Sequence, residues 1–213
     1  VSVEIVTADG QLHTASAQEN ADLFWGIRGG GGNFGVVTSF EFQLHPVGPE
    51  VMLCNMMYPI EEAKTVITAW RDLLATAPDD VSSICTFWSV PAVDPIPRAL
   101  WNKQVVGVAA MFAGAPAEGE KLLQPLRELA EPVLDMSGRI PYRTVQTLFD
   151  PFFPVGRRYF LKSTDLRSLD DDVIDAVLTR AVNRPTHATL LVFWAYGGAI
   201  NRVGMADSAF ASR

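Results

Sequence analysis

Apolar and polar residues alternate at the start of the chain, with Val3 and Ile5 as the apolar positions. A two-residue period is typical of a strand that is buried on one face. Asp9 and Gly10 follow, and glycine tolerates the positive φ angles that tight hairpin turns require. A second short alternating segment comes after this pair. The pattern therefore predicts a β-hairpin over residues 1–15.

Helical and strand patterns alternate along the rest of the chain. The predicted helices cover about residues 20–28, 60–76, 116–130 and 170–183. The predicted strands cover residues 36–45, 51–58, 82–90, 104–112, 157–163 and 187–197. Asn20 is the expected N-cap of the first helix, Pro125 is expected to kink the third, and residues 141–154 are expected to be irregular.

The strands are partly amphipathic although helices separate them along the chain. This combination favours an α+β fold with one open, mainly antiparallel sheet covered by helices, and not a doubly wound parallel sheet. Prolines and a glycine at residues 46–49 interrupt the pattern and mark the expected domain boundary.

Composition narrows the classes of function. The 213 residues carry a formal net charge of -7 without a basic stretch, which argues against a nucleic-acid partner. The longest uncharged apolar stretch, residues 187–200, is too short to span a bilayer, so no membrane partner is expected. Cys54 and Cys85 cannot form a zinc site and do not suggest a disulfide framework, so we expect no metal and a cytoplasmic location. The sequence starts inside a strand pattern without an initiator Met, and we expect a fragment of a longer protein.

Residues 30–35, Gly-Gly-Gly-Asn-Phe-Gly, match the G-x-G-x-x-G pattern of dinucleotide-binding loops. That motif requires a strand before the loop and a helix after it, and here the order is inverted. No Gly-Lys-Ser/Thr follows, so a P-loop is excluded as well. Two interpretations remain open. The loop is either a tight connector or a concavity where backbone N–H groups bind polar atoms and a flat ring lies against the backbone.

Two segments carry a family resemblance. Residues 3–10 are Val-Glu-Ile-Val-Thr-Ala-Asp-Gly, and residues 19–38 run from Glu-Asn-Ala-Asp-Leu-Phe-Trp-Gly through the glycine loop to Val-Val-Thr. They resemble the berberine bridge enzyme-like flavoproteins, which are FAD-linked oxidases of the vanillyl-alcohol oxidase superfamily. Supporting matches are spread over the later chain, at residues 118–120, 125–127, 159–163 and 196–200.

The resemblance implies that the chain contains parts of two domains with different functions. Residues 1–47 would be the second part of a PCMH-type FAD-binding domain, and residues 48–213 an incomplete substrate-binding domain. The residues implied to lie along FAD are Gly32, Asn33, Gly35, Val36 and Val37. The residues implied to face the substrate are Tyr159, Lys162 and Trp194, with Tyr196 as the candidate catalytic residue. For the aromatic residues, a place in the hydrophobic core is the competing interpretation.

The function implied for the intact protein is an FAD-dependent oxidase or dehydrogenase. It would remove hydride from an alcohol- or amine-type C–H of a small organic substrate. The family's N-terminal segment, with the His or His/Cys that links FAD covalently, has no counterpart here, and neither does its C-terminal segment. His13, His45 and His187 lie outside that linkage motif.

Two alternatives remain beside the oxidoreductase. The first is a truncated, non-catalytic remnant that binds a ligand or partner without flavin and forms a homodimer through apolar surface left exposed by the missing segments. The second is a ferredoxin-like ligand-binding domain with no redox history. Flavin binding by the chain would separate the oxidoreductase from both.

Overall fold

The computed structural model describes residues 1–94 and 96–210. The strands are β1 (Ser2–Val6), β2 (Leu12–Ser16), β3 (Val36–Glu41), β4 (Glu50–Pro59), β5 (Val81–Ser89), β6 (Gln104–Phe112), β7 (Leu134–Asp135), β8 (Gly138–Pro141) and β9 (Leu191–Trp194). The α-helices are α1 (Ala21–Ile27), α2 (Ala63–Leu74), α3 (Pro116–Arg127), α4 (Tyr142–Gln146), α5 (Asp171–Val182) and α6 (Ala199–Arg202).

The chain divides into two compact units. Unit 1 contains residues 1–46 together with residues 198–210, and unit 2 contains residues 47–197. The residues after 197 therefore pack with the first unit, whereas the sequence led us to group them with the second. Trp25 Nε1 donates a 2.7 Å hydrogen bond to the Ala206 carbonyl, and Arg28 Nη2 donates one of 2.6 Å to the Asp207 carbonyl. The assignment of the units to FAD and to substrate stays a prediction.

Unit 1 is built on an antiparallel sheet in the order β2–β1–β3. The predicted hairpin is confirmed: Gly10 has a φ of +77° and its N–H donates to the Thr7 carbonyl at 2.9 Å. The predicted first helix is also confirmed as α1. Asn20 stands at its N-cap position, but it adopts a left-handed φ of 48° and its side chain caps no helical N–H. Its Nδ2 instead donates to the Thr14 carbonyl at 2.7 Å.

Strand β3 is shorter than predicted and ends at Glu41. Phe40, Phe42 and Leu44 alternate with polar residues as a half-buried strand would, yet all three are exposed. The rings of Phe40 and Phe42 stack on each other with centroids 5.6 Å apart. Among residues 1–94 and 96–210, β3 lies at the edge of its sheet and pairs only with β1, so residues beyond Glu41 find no strand there that extends the ladder.

Unit 2 is organised around a six-stranded sheet in the order β7–β4–β6–β5–β9, with β8 also pairing with β4. Every pair is antiparallel. Together with the flanking helices this confirms the α+β class. The short strands β7 and β8 and helix α4 were not predicted, because elements of five residues or fewer carry too little periodicity to be recognised.

The main core lies between this sheet and the helices α2, α3 and α5. Alternate residues of β4, β5 and β6 point into it, and these are Met52, Cys54, Met56, Tyr58, Cys85, Phe87, Val106, Val108, Ala110 and Phe112. The helices contribute the positions that helical spacing predicts, namely Val66, Ile67, Trp70, Leu123, Leu126, Ile174 and Ala181. The Tyr58 hydroxyl donates to the Leu126 carbonyl and so ties α3 to the sheet.

Two strand predictions need correction. Residues 157–163 do not form a strand; they are irregular, and both Phe160 and Leu161 are almost fully exposed. The last strand was predicted over residues 187–197, but the observed strand is shorter and covers Leu191–Trp194. A strand exists only where a neighbour supplies hydrogen bonds, and composition favourable to strands does not provide that neighbour. β9 obtains one from β5, whereas residues 157–163 pair with no strand in the described chain.

Candidate functional site

The glycine loop connects α1 to β3. At four glycines in and next to this loop, close packing explains why no larger residue is present. The ring of Phe34 lies against Gly26 and Gly30, where a Cβ would come within 2.8 Å and 3.0 Å of ring carbons. A Cβ on Gly29 would lie 2.5 Å from the backbone of Phe210. A Cβ on Gly35, whose φ is +150°, would lie 2.3 Å from a backbone oxygen of β1. At these positions any side chain would collide with the fold itself.

Packing does not explain Gly31 and Gly32. A Cβ at either position would meet nothing within 4 Å. Gly31 needs glycine for its φ of +87°, but Gly32 has no such requirement. Both residues and the adjacent Asn33 are exposed. The tip of the loop is thus a stretch of bare, accessible backbone, and a flat ring or a polar group could approach its N–H and C=O groups directly.

Val36 and Val37 begin β3 and pair with Val6 and Ile5 of β1. The side chain of Val36 is exposed, whereas Val37 lines an apolar cavity of about 200 Å³ in unit 1. Phe24 and Arg28 line the same cavity, and the guanidinium of Arg28 lies 4.5 Å from the centroid of the Phe24 ring. The exposed loop tip and this cavity are the parts of unit 1 that could hold a flat, partly apolar cofactor such as FAD. The bare backbone at Gly31 and Gly32 fits contact with part of that group, whereas a cavity of about 200 Å³ is too small to hold all of it.

The second candidate surface lies in unit 2, on the side of the six-stranded sheet that faces away from the helices. Residues directly opposite each other on antiparallel strands share a face. One cross-strand row on this side runs from Asn55 through Ala109 and Ile84 to Trp194. The next row runs from Met57 through Gly107 and Thr86 to Val192. We call these two rows the open face. It is covered at β4, where Met57 is buried in a second hydrophobic cluster with Val90, Ile96 and Val105, and it becomes exposed towards β9.

Exposure increases across the open face. Asn55 is only 9% exposed, Ala109 and Ile84 are half-buried, and Trp194 is 67% exposed at the sheet edge. In the second row, a Cβ on Gly107 would lie 2.6 Å from the hydroxyl oxygen of Thr86. The surface therefore offers an aromatic plane at its exposed end and, in the next row, the half-buried Thr86, whose hydroxyl donates to the Gly107 carbonyl at 3.4 Å and can still accept a hydrogen bond. Asn55 is buried and does not belong to the accessible part of this surface.

Trp194 and Tyr196 are brought to the same edge of the sheet. Trp194 is the last residue of β9, and the N–H of Ala195 continues the ladder to the Ser83 carbonyl at 3.3 Å. Tyr196 follows and is exposed. Sequence reasoning identified these two aromatic residues but missed their row partners Ile84 and Asn55. No local signal could have revealed them, because the register between distant strands decides which residues share a row.

Tyr159 and Lys162 lie in the irregular segment that follows α4. The Tyr159 hydroxyl donates to the Pro154 carbonyl at 2.9 Å, and its ring lies 6.1 Å from that of Phe153. Lys162 Nζ lies 5.8 Å from the ring centroid of Phe160. Over residues 1–94 and 96–210, no hydrogen bond or ring contact joins these two residues to Trp194 or Tyr196. Their role towards a substrate stays a prediction.

An aspartate and two cysteines that could take part in catalysis are either ion-paired or buried within the fold. Asp171, the first residue of α5, pairs with Arg71 at 2.9 Å. Burial raises the pKa of the Cys54 thiol to about 11 and raises the pKa of Cys85 still further, so neither thiol is activated as a nucleophile.

In the described parts of the chain, no three His, Cys, Asp or Glu residues lie close enough together to form a metal site. No α-helix of those parts has the length and apolar character needed to cross a membrane.

The chain is similar in sequence to FAD-linked oxidoreductases, although no protein-family model matches it. Over its whole length it is 27% identical to an FAD-linked oxidoreductase of Dictyostelium discoideum, of which it covers 45%. It is 26% identical, again over its whole length, to a xylooligosaccharide oxidase of Thermothelomyces thermophilus, of which it covers 44%. The fold matches the structure of a BBE-like protein of Arabidopsis thaliana with a TM-score of 0.73 and 19% identity, over 100% of this chain and 44% of that one.

The chain thus spans about half the length of the curated relatives it matches. The resemblance drawn from residues 3–10 and 19–38 is confirmed by these relatives. The relative from Dictyostelium discoideum is named as FAD-linked, as the sequence led us to expect for the intact family.

Proposed function

We propose that this chain, a homologue of the berberine bridge enzyme-like FAD-linked oxidoreductases, is part of an FAD-dependent oxidoreductase that oxidises a small organic substrate at an alcohol- or amine-type C–H. The observation that carries the proposal is the tip of the glycine loop. Gly31 and Gly32 are bare, exposed and free of any packing neighbour, so the fold itself does not account for Gly32.

Unit 1 would hold part of the cofactor. Gly32 and Asn33 would let its ring system or phosphates lie against backbone N–H groups, and the rigid start of β3 would position Val36 and Val37 beside it. Gly35 serves by allowing β3 to begin close to β1. When bound, FAD supplies the capacity to take up two electrons as a hydride. The chain's own residues would supply binding contacts and orientation.

Unit 2 would supply substrate contacts from the open face. Trp194 offers an exposed aromatic plane, and the half-buried Thr86 offers a hydroxyl oxygen on the same face. Tyr196 carries an exposed hydroxyl that can hydrogen-bond the oxygen or nitrogen next to the reacting carbon. Among the comparison proteins, the xylooligosaccharide oxidase is named for a sugar substrate, and we extend a hydroxyl-bearing substrate class to this chain on that basis.

The test is a titration of the purified 213-residue chain with FAD, followed by the visible flavin spectrum. We expect saturable binding with a shifted flavin band. Gly32→Leu should weaken binding about tenfold or more, since it places a side chain on the bare tip without straining the backbone. Ala8→Leu is the matched control, because it adds the same side chain to the exposed hairpin turn of unit 1.

Two results would contradict the proposal. A folded chain that gives no flavin signal at any FAD concentration would show that this chain does not hold the cofactor without the family's N-terminal segment, which contradicts binding by unit 1 and excludes catalysis by this chain alone. Equal weakening by Gly32→Leu and Ala8→Leu would show that the loop tip is not the contact. If the chain binds FAD, Tyr196→Phe tests unit 2: turnover should fall while the flavin dissociation constant stays the same.

A further inference from the structure

A separate cavity lies at one end of the six-stranded sheet in unit 2. Its volume is about 140 Å³. Ser89 ends β5 and pairs with Gln104, which begins β6, and the residues that follow α5 close the cavity. The lining residues are Ser89, Gln104, Arg184, Pro185, Thr186 and His187. None of them belongs to the glycine loop or to the open face.

Arg184 is held rigidly at this cavity. Its Nη1 donates to the Ala181 carbonyl and so satisfies the last turn of α5, and its Nη2 donates to the hydroxyl of Ser89 at 3.3 Å. These contacts use two of the five N–H groups of the guanidinium. The Nε–H is buried and has no acceptor among the described residues. A buried donor without an acceptor is costly, so this arginine is only partly satisfied by the protein.

The charge of Arg184 is also uncompensated. In the described chain, no carboxylate forms an ion pair with it, and none lines the cavity. Arg71 and Arg127, in contrast, each pair with an aspartate at 2.9 Å or less. Burial lowers the pKa of Arg184, which shows that its surroundings disfavour the charged form. A half-buried cation in a chain of net charge -7 therefore stands without a counter-charge.

We propose that this cavity binds a small oxyanion, of the phosphate, sulfate or carboxylate type. Arginine presents its N–H groups in a fixed planar fork that matches the oxygens of such ions. The Ser89 hydroxyl accepts from the fork, and Gln104, Thr186 and His187 line the same space. Gln104 Nε2 donates one N–H to the Val182 carbonyl at 3.3 Å and keeps a second, and the Thr186 hydroxyl lies 3.1 Å from that of Thr189. The volume suits an ion or a terminal acidic group of a larger ligand, not a whole cofactor.

The test measures thermal unfolding of the 213-residue chain in increasing inorganic phosphate, with acetate and chloride as separate arms at the same ionic strength. A ligand that binds only the folded state raises the midpoint in a saturable manner. We expect saturation with phosphate or with acetate but not with chloride. Saturation with phosphate alone indicates a phosphate-type ligand, and saturation with acetate indicates a carboxylate.

Variants decide whether the cavity is responsible. Arg184→Gln should weaken the apparent affinity about tenfold or more. Arg180→Gln is the matched control, because it removes the same charge from the exposed face of α5 and should leave the affinity unchanged. If Arg184→Gln does not fold, Ser89→Ala takes its place, with an expected loss of about twofold to fivefold. Equal responses to all three anions, or full binding by Arg184→Gln or Ser89→Ala, would overturn the proposal.

Discussion

The two units bury their apolar residues to very different extents. In unit 1, the buried apolar side chains of the described chain are Val3, Ile5 and Ala15. In unit 2, three helices and a six-stranded sheet enclose the main core, and a second, smaller cluster contains Met57, Val90, Ile96 and Val105. Unit 1 leaves Phe40 and Phe42 exposed at 61% and 69%. The difference shows that stability is concentrated in unit 2, while the glycine loop proposed for the cofactor lies in the unit with the smaller core.

The largest expected effect is on the free energy of unfolding, and it compares the removal of one phenylalanine side chain from each unit. Phe87→Ala in unit 2 should lower the free energy of unfolding by about 3–5 kcal/mol, because Phe87 is fully buried and its removal leaves a cavity. Phe42→Ala in unit 1 should change it by less than about 0.5 kcal/mol. Urea unfolding with hydrogen exchange resolved by segment measures both. A comparable loss from the two variants would show that Phe42 is covered in solution.

A smaller effect separates two glycines of the same loop. Gly35→Ala should destabilise unit 1 by about 1–3 kcal/mol, since it combines a φ of +150° with a collision against β1. Gly32→Ala should be close to neutral, because its Cβ would meet nothing within 4 Å. Hydrogen exchange of β1 and β3 reports the difference. Loss of protection in Gly32→Ala would mean that Gly32, too, is needed for folding, and the argument for a bare cofactor contact would fail.

The smallest effect concerns acid stability of unit 2. Burial raises the pKa of Asp135, but hydrogen bonds from Arg127 and Ser137 outweigh it and hold the pKa below its ordinary value. A carboxyl with a lowered folded pKa stabilises the fold above its unfolded pKa of about 3.9, and this contribution is lost as the pH falls through the folded pKa. Asp135→Asn should therefore cost about 0.5–1 kcal/mol at pH 7 and almost nothing near pH 2.

Unfolding in urea at several pH values checks this sign. Glu131→Gln removes an exposed carboxylate close by in sequence and serves as the control, with no expected change. A cost of Asp135→Asn that is equal at both ends of the pH range would assign the effect to packing and not to charge.

Much of unit 2 could be predicted from its sequence. β4, β5 and β6 and helices α2, α3 and α5 lie within a few residues of their predicted limits. The helices follow the 3.6-residue period over twelve residues each, and β5 alternates over nine. β4 and β6 are long, nearly continuous apolar segments, which is typical of strands buried on both faces. The strand predicted over residues 157–163 was wrong because their composition suits a strand but no other strand of the described chain pairs with them.

The candidate site could be predicted only in part. The glycine loop was found from its residues, but sequence could not separate Gly31 and Gly32, which face open space, from Gly26, Gly30 and Gly35, which are required by packing. Trp194 was identified, but its row partners Ile84 and Asn55 were not. The Arg184 cavity was not foreseen, because a single arginine after a helix carries no signal of its missing counter-charge.

The sequence by itself determined the hairpin at Asp9 and Gly10, the long helices, the α+β class and the family resemblance. These depend on rules that act over a few neighbouring residues or on a contiguous motif. Only the tertiary structure decided the register that lines up Trp194 with Asn55, the packing of residues 198–210 with unit 1, and the groups left without partners. Those features depend on which distant segments meet, and that choice is made by the burial and hydrogen bonding of the whole chain at once.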